Sequence, residues 1–453
     1  MLTVVAFVVA LGLLVAIHEF GHYSIARVCG VKVLRFSVGF GKTLVSWTPK
    51  GSSTEFVLAA FPLGGYVRML DEREAPVPDH ERHLAFNTQP LMSRVAIVAA
   101  GPIANLLLAV LLYSTVNWSG VEQAKAILAS PIAGSVAQRS GLTGAEIVKS
   151  AGFADEPAHE IVSFEDLRWL LTRGALEGHD VNLVLGEGTG KSQKNIVLKL
   201  STLGASEADA QLFRKIGIVG PLTQPVLGQV MAGGAAERAG LQQGDVVQSV
   251  GSQMVVDGQQ LRELIRNSTN GNESRSSVWK ISRGGVILNI DVRPDSKQEG
   301  DIWVGKIAAY IGAPPETVLV RYGLFDGLLN GAVRTWEVSL LTLKMMGKMV
   351  IGEASLKNLS GPLTIADYAG KSASMGLTQY LVFLALISVS LGVLNLLPLP
   401  VLDGGHLMYY LWEAVTGKTV PEVWMERLQR GGVAVLLMMM SIAFFNDITR
   451  LLG

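Results

Sequence analysis

The sequence predicts a polytopic α-helical membrane protein: four transmembrane helices, with a large water-soluble α+β insert between the second and the third. Three observations carry this. Of 453 residues, 49% are hydrophobic and only 17% charged, against about 25% charged in ordinary soluble domains. The apolar residues fall in blocks of about 20, the length that crosses a bilayer. Between the second and third blocks the chain turns polar and repeats itself.

The first span occupies residues 1–26. Residues 2–17 carry no charge, and the first basic residue is Arg27; the basic start of a signal peptide is therefore missing. The second span covers 95–117, the third 377–402 and the fourth 428–447, the last flanked by Arg427 and Arg430 on one side and Asp447 on the other. Segment 27–94 holds Arg27, Lys32, Arg35, Lys42, Lys50, Arg68, Arg73, Arg82 and Arg94; the loop between spans three and four holds Lys418, Arg427 and Arg430. Basic loops stay in the cytoplasm. Both termini and the insert are then expected outside, which in a bacterial inner membrane is the periplasm. Residues 324–351 are apolar but interrupted by Asp326, Arg334, Glu337, Lys344 and Lys348. An amphipathic helix on the membrane surface is expected there. A fifth span is the alternative, and it would put the termini on opposite faces.

Within the insert, Ala133-Gly-Ser-Val-Ala-Gln-Arg-Ser-Gly-Leu142 matches Ala232-Gly-Gly-Ala-Ala-Glu-Arg-Ala-Gly-Leu241. The second copy continues to Gly244-Asp245, a turn before a strand. This pattern resembles the PDZ domain. The first copy departs from it, with Gly144-Ala145-Glu146 in the turn. Two tandem PDZ modules are expected, over 122–220 and 221–312. Ile216-Gly217-Ile218 is a candidate loop for a peptide C-terminus, held through free backbone N–H groups; the alternative is an ordinary glycine-containing strand.

The chemistry lies in the first span. His18-Glu-Phe-Gly-His22 is an H-E-x-x-H motif in a helical setting. Four residues advance a helix by about 400°, so His18 and His22 project along nearly one line. Both imidazoles can reach one Zn²⁺, and Glu19 on the adjoining face can act as general base toward a water. Ionisable groups inside a membrane are costly and usually functional. Catalytic zinc takes three protein ligands. Ile25 and Val28 stand where a longer helical motif would need a glycine and a third histidine, so the third ligand comes from elsewhere. Asp403 ends the third apolar run, after Pro398 and Pro400 have broken its helix and just before Gly404 and Gly405. His406 is the rival ligand.

These residues resemble the site-2 protease family of intramembrane zinc metalloproteases. The resemblance rests on His18-Glu-Phe-Gly-His22, on Asn395-x-x-Pro-Leu-Pro-x-Leu-Asp403-Gly404 and on the tandem insert between spans two and three. Asn358-Leu-Ser-Gly-Pro-Leu-Thr-Ile365 and Phe444-Phe-Asn-Asp447 fit bacterial members of it. The resemblance implies zinc bound by His18, His22 and Asp403 with Glu19 as catalytic base. It implies that Asn395, with Pro398 and Pro400 shaping its loop, holds substrate. Residues 54–70 look like the family's membrane-re-entrant β-hairpin, with Gly64, Gly65 and Tyr66 near an edge that could hold an unwound substrate; the alternative is a cytoplasmic hairpin without substrate contact. Gly101-Pro-Ile-Ala-Asn105 is also similar to the family; Asn105 either contacts the catalytic core or satisfies freed backbone carbonyls. The implied partners are the lipid bilayer and single-span membrane proteins, namely an anti-sigma factor already cut on its periplasmic side and remnant signal peptides. The implied site faces the cytoplasmic side of a bacterial inner membrane.

Two other functions fit parts of the pattern: a metal transporter using the same ligands in transit, and a membrane-anchored PDZ adaptor without chemistry. Neither gives Glu19 a role between the histidines. Lys+Arg and Asp+Glu are 38 each; no net basic field is available to hold nucleic acid. Cys29 is the only cysteine, which excludes an intrachain disulfide and a cysteine zinc cluster; it reads as an inert small hydrophobe. His80, His83, His159 and His179 lie in polar segments and read as solvated. Met438–Met440 reads as packing or lipid contact.

Overall fold

The first apolar block folds as one helix because no proline or charge run interrupts it: α1 spans Leu2–Val28. A computed structural model describes residues 2–186, 193–205, 210–299, 302–353 and 361–452. The buried face of α1 is narrow, made of Ala6, Ala10, Leu14, Gly21 and Ala26, while Val4, Val5, Val9 and Phe20 are exposed. Small residues inward and large apolar ones outward suit a helix packed in lipid.

Two long strands follow, β1 (Val33–Trp47) and β2 (Glu55–Met69). The hairpin expected over 54–70 is thus only the second arm of a larger one. Both arms fold back on themselves. Val38 pairs with Gly65 and also with Leu58, and Val45 pairs with Leu58 from the other side. The result is four antiparallel segments in the order 65–69, 33–38, 55–61, 43–47. Glycines make the bends: Gly39 at φ 93° and Gly64 at φ 121° lie in the left-handed region that side chains disfavour.

Helix α2 (Leu91–Ser119) runs antiparallel to α1. The two approach closely because Gly21 lies on the Ala100 backbone and Gly101 lies on the rings of His18 and His22. A methyl group at either glycine would collide.

Residues 122–320 form a unit of their own. It contains β3 (Ile147–Phe153), β4 (His159–Glu160), α3 (Phe164–Glu177), β5 (Val181–Gly186) and β6 (Gln193–Leu198), with sheet order β4-β3-β5-β6. The same succession recurs as β7 (Val246–Val250), β8 (Gln253–Met254), α4 (Gly258–Arg266), β9 (Ser277–Arg283) and β10 (Val286–Val292), in the order β8-β7-β9-β10. Each sheet covers a buried core. Leu167, Leu171, Leu183 and Leu198 fill the first; Leu261, Trp279 and Ile281 fill the second. Helix starts are signalled locally: Ser163 and Asp166 form a capping box for α3, and Asp257 accepts from the Gln260 N–H at α4.

The turn in each copy is held by a carboxylate. Asp245 accepts from the Gln242 N–H at 2.8 Å and from Arg283 Nε at 2.7 Å. In the first copy Glu146 takes over, accepting from the Thr143 N–H at 2.7 Å and the Gly144 N–H at 2.8 Å. The departure in sequence therefore preserves the turn. It leaves Ala145 at φ 67°, where the second copy has Gly244 at φ 92°.

After the insert, α5 (Leu324–Val350) packs antiparallel along the end of α2. Gly331 meets Val110 and Ser114, and Trp118 Nε1 donates to the Leu324 carbonyl at 3.0 Å. Phe325, Leu329 and Trp336 remain exposed. Then come α6 (Pro362–Met375), α7 (Leu377–Asn395), α8 (Asp403–Thr416) and α9 (Glu422–Leu452). The motif segment Asn358–Ser360 lies outside the described residues. The helix expected over 377–402 ends at Asn395, and Asp403 opens a separate helix; Pro398 and Pro400 enforce the break. The last helix extends beyond 428–447 at both ends.

Among the described residues four helices are long and apolar enough to cross a membrane: Leu2–Val28, Leu91–Ser119, Leu377–Asn395 and Val423–Thr449. The chain is a polytopic membrane protein. Its spans alternate in direction. Ser388 meets Asn105 and Gly392 meets Pro102, so α7 runs parallel to α1. Helix α9 starts beside Pro400 and ends where Asp447 caps α6.

Candidate metal centre

The H-E-x-x-H segment sits on α1, where helical geometry alone puts His18 and His22 on one face. That face meets α2. His22 Nδ1 lies 2.8 Å from the carbonyl oxygen of Ile97. A carbonyl only accepts, so Nδ1 carries the proton and the lone pair is on Nε2. The Nε2 atoms of His18 and His22 are 3.2 Å apart. Asp403 Oδ2 completes a triangle, 3.2 Å from His18 Nε2 and 3.5 Å from His22 Nε2.

How Asp403 arrives there is legible in the loop. Leu399 N–H donates to Leu397 O at 2.7 Å, and Leu402 N–H to Leu399 O at 2.9 Å. The chain coils tightly onto the first turn of α8, where Gly404 and Gly405 lie against the backbone of Leu396, Leu397, Leu399 and Pro400. A β-carbon at either position would push the loop off the helix start. Asp403 is the first residue of α8, so the helix dipole favours its charged form. Arg94 at the start of α2 grips Glu413 of α8 with two hydrogen bonds, at 3.0 and 2.6 Å. That clamp fixes α8, and with it Asp403, against α2.

The donor set fits zinc. Three ligands placed tetrahedrally at about 2.0–2.1 Å from one centre stand about 3.3 Å apart. The three separations here, 3.2, 3.2 and 3.5 Å, match that spacing. Three lone-pair atoms so close repel one another unless a proton or cation lies among them. Among the described residues this is the group of histidines and acids with a metal-compatible arrangement. His406, the rival ligand, is exposed and lies edge-on to Tyr409.

Glu19 borders the triangle. The edge segment 65–69 lies against α1 beside it. Gly65 makes this possible: a β-carbon there would come within 3.0 Å of Glu19 Cγ and 2.9 Å of Val15 Cγ1. Tyr66 stacks on Phe40 and receives a hydrogen bond from Arg35. Gly64 lies on the Phe40 ring. Asn395 closes α7, Pro398 is exposed and Pro400 is half-buried beside Gly432.

Ile216, Gly217 and Ile218 belong to the insert. Ile216 ends a helix, Ala210–Ile216, and Gly217 and Ile218 follow it, in place of the strand considered as an alternative. Ile216 and Ile218 are buried in the first core, and Gly217, at φ 95°, lies on Ser135. The contributions of Ile97 and Gly21 escape sequence reasoning. Ile97 acts through a backbone atom, which leaves no residue-type signal, and Gly21 passes for a spacer.

The sequence matches peptidase family M50 over residues 6–439. The chain belongs to this family, the site-2 protease family. Among M50 relatives, a Ralstonia nicotianae protein whose name describes it as a zinc metalloprotease is 42% identical, the match covering 100% of this chain and 99% of the relative. Regulator of sigma-E protease RseP of Escherichia coli and of Salmonella typhimurium are each 37% identical, with 98% of both chains covered. This M50 member is accordingly a zinc-dependent intramembrane protease, acting on membrane proteins in the bacterial inner membrane.

Proposed function

We propose that His18, His22 and Asp403 hold the zinc of this protease and that Glu19 is its general base. The observation that carries the reading is the convergence of His18 Nε2, His22 Nε2 and Asp403 Oδ2 within 3.2–3.5 Å on membrane-embedded elements, with Glu19 adjoining. Zn²⁺ held there supplies a Lewis acid for the scissile carbonyl and makes the attacking water more acidic. Glu19 takes that water's proton and returns it to the leaving amide nitrogen. His22 is held in the ligand tautomer by Ile97.

A helical substrate hides its peptide bonds, so it must unwind. Edge segment 65–69 offers it a strand to pair with, and the close approach of Gly65 to Glu19 Cγ puts that edge beside the base. We read β1 and β2 as the membrane-re-entrant hairpin; the exposed apolar side chains of Phe40, Leu44, Val45, Trp47 and Phe61 support this. Asn395, with the Pro398–Pro400 loop, holds the substrate on the opposite side. His18 lies about 15 Å from the C-terminal end of α1 at 1.5 Å per residue, nearer the basic segment and thus the cytoplasmic side. Both termini and the insert are then periplasmic.

The two repeats of the insert are tandem PDZ modules, and they act as a size filter on substrates. Ile216-Gly217-Ile218 serves there as a loop for a peptide C-terminus once the Gly217 N–H, bonded to the Phe213 carbonyl at 2.8 Å, is released. The relatives named as regulators of sigma-E support a role in envelope stress response. The substrates are then a single-span anti-sigma factor after periplasmic cleavage and remnant signal peptides.

Purified protein in nanodiscs, incubated with a single-span substrate, tests the reading. Cleavage in or next to the span is expected, abolished by a zinc chelator and restored by Zn²⁺. Cleavage that survives complete zinc removal contradicts it.

A further inference from the structure

His22 has its outer nitrogen fixed by a main-chain carbonyl of α2. His18 faces the same helix through a side chain. Asn105 Nδ2 lies 3.3 Å from His18 Nδ1. Asn105 is completely buried, and its own carbonyl is tied to α7 by Ser388 Oγ at 2.7 Å. Asn105 is therefore the point where the histidine helix, α2 and the helix leading to Asp403 meet.

The protonation pattern decides what Asn105 must supply. His18 Nε2 faces His22 Nε2 and Asp403 Oδ2, so as a zinc ligand it must present a lone pair. A neutral imidazole has one N–H, which then sits on Nδ1 and needs an acceptor. The two ends of a carboxamide fill nearly the same volume, and only the oxygen can accept. We propose that Asn105 is a positioning residue for the metal: its side-chain oxygen accepts the His18 Nδ1–H, fixing ring orientation and tautomer as Ile97 does for His22. The inference rests on the reading that His18 binds zinc. It gives the Gly101-Pro-Ile-Ala-Asn105 segment two functions, with Gly101 admitting the rings and Asn105 orienting one of them.

The other end of the amide is informative too. Asn105 Oδ1, as placed, has no hydrogen-bond partner, so that end makes no bond that a substitution would break. Asn105→Asp keeps an acceptor toward His18 and converts the pair into a carboxylate–histidine–metal relay. Asn105→Leu keeps the bulk and removes the acceptor.

The test is zinc affinity of the full-length protein by competition with a chromogenic chelator, together with the visible spectrum of the cobalt-substituted protein. Asn105→Leu is expected to bind zinc about 10–100-fold more weakly with an altered cobalt spectrum, and Asn105→Asp within about threefold of the parent. A packing role alone gives the reverse order, because a buried charge disturbs an apolar helix interface more than leucine does. Asn105→Ala replaces the leucine variant if that fails to fold. Parent-like zinc affinity in Asn105→Leu or Asn105→Ala overturns the proposal, as does loss of zinc from folded Asn105→Asp. His18→Ala separates the two levels. Zinc retained in His18→Ala defeats the ligand assignment itself; zinc lost there but kept in Asn105→Leu defeats only the role of Asn105.

Discussion

His22 donates through Nδ1 to the Ile97 carbonyl at 2.8 Å, and this one bond ties the histidine helix to α2 with the metal-facing nitrogen unprotonated. Ile97 is fully buried, so water does not compete for the carbonyl. The ligand geometry is therefore set by helix packing as much as by the motif.

Glu19 adjoins the ligands without being one. Glu19→Gln removes the base but keeps the shape, so zinc content should stay at the parental level while turnover falls by about 10²–10⁴-fold. Metal analysis and a cleavage time course on the same preparation check this. Normal turnover rejects the general-base role.

Gly101→Ala places a methyl group against the rings of His18 and His22. The helices must separate, at a cost of about 1–3 kcal/mol. Reduced zinc occupancy and lower thermal stability are expected together. Gly12→Ala, where a β-carbon meets nothing within 4 Å, should leave zinc occupancy unchanged and should not lower stability.

The turn of the second repeat carries a pH signature. Burial raises the Asp245 carboxyl, but the Arg283 guanidinium and the Gln242 N–H outweigh it and hold the group below its ordinary value. Its contribution to stability is present above the unfolded-state value and is lost as pH falls through the lower native one. Arg283→Met leaves the Asp245 carboxylate without its cation and should destabilise the second repeat at neutral pH, the loss shrinking as the medium is acidified. Hydrogen exchange of residues 241–250 across that range measures it.

Ala145, at φ 67°, holds a conformation that costs a side chain about 1 kcal/mol. Ala145→Gly should raise the stability of the first repeat by roughly half to all of that amount. Denaturant titration followed by exchange at residues 143–150 checks the sign.

The sequence made legible what depends on spacing within one element. His18, Glu19 and His22 follow from the helical repeat, and Asp403 stands out as a carboxylate after two prolines. Pairings between elements left little trace. The fold-back of β1 and β2 turns on Gly39 and Gly64, which read equally well as loop residues. The start of α8 at Asp403 was hidden because a proline-broken span and a new helix look alike in composition. Composition reads α5 as too charged for a lipid-embedded span and carries no sign of its packing along α2, which rests on small contacts such as Gly331 on Ser114.

Zinc-edge X-ray absorption on the loaded protein tests the central claim most directly. The account predicts a nearest-neighbour shell of nitrogen and oxygen at about 2.0–2.1 Å, with outer scattering from two imidazoles, reduced to one imidazole in His22→Ala and losing an oxygen in Asp403→Ala. A third imidazole from His406, a sulfur neighbour from Cys29, or a spectrum unchanged by Asp403→Ala would contradict it.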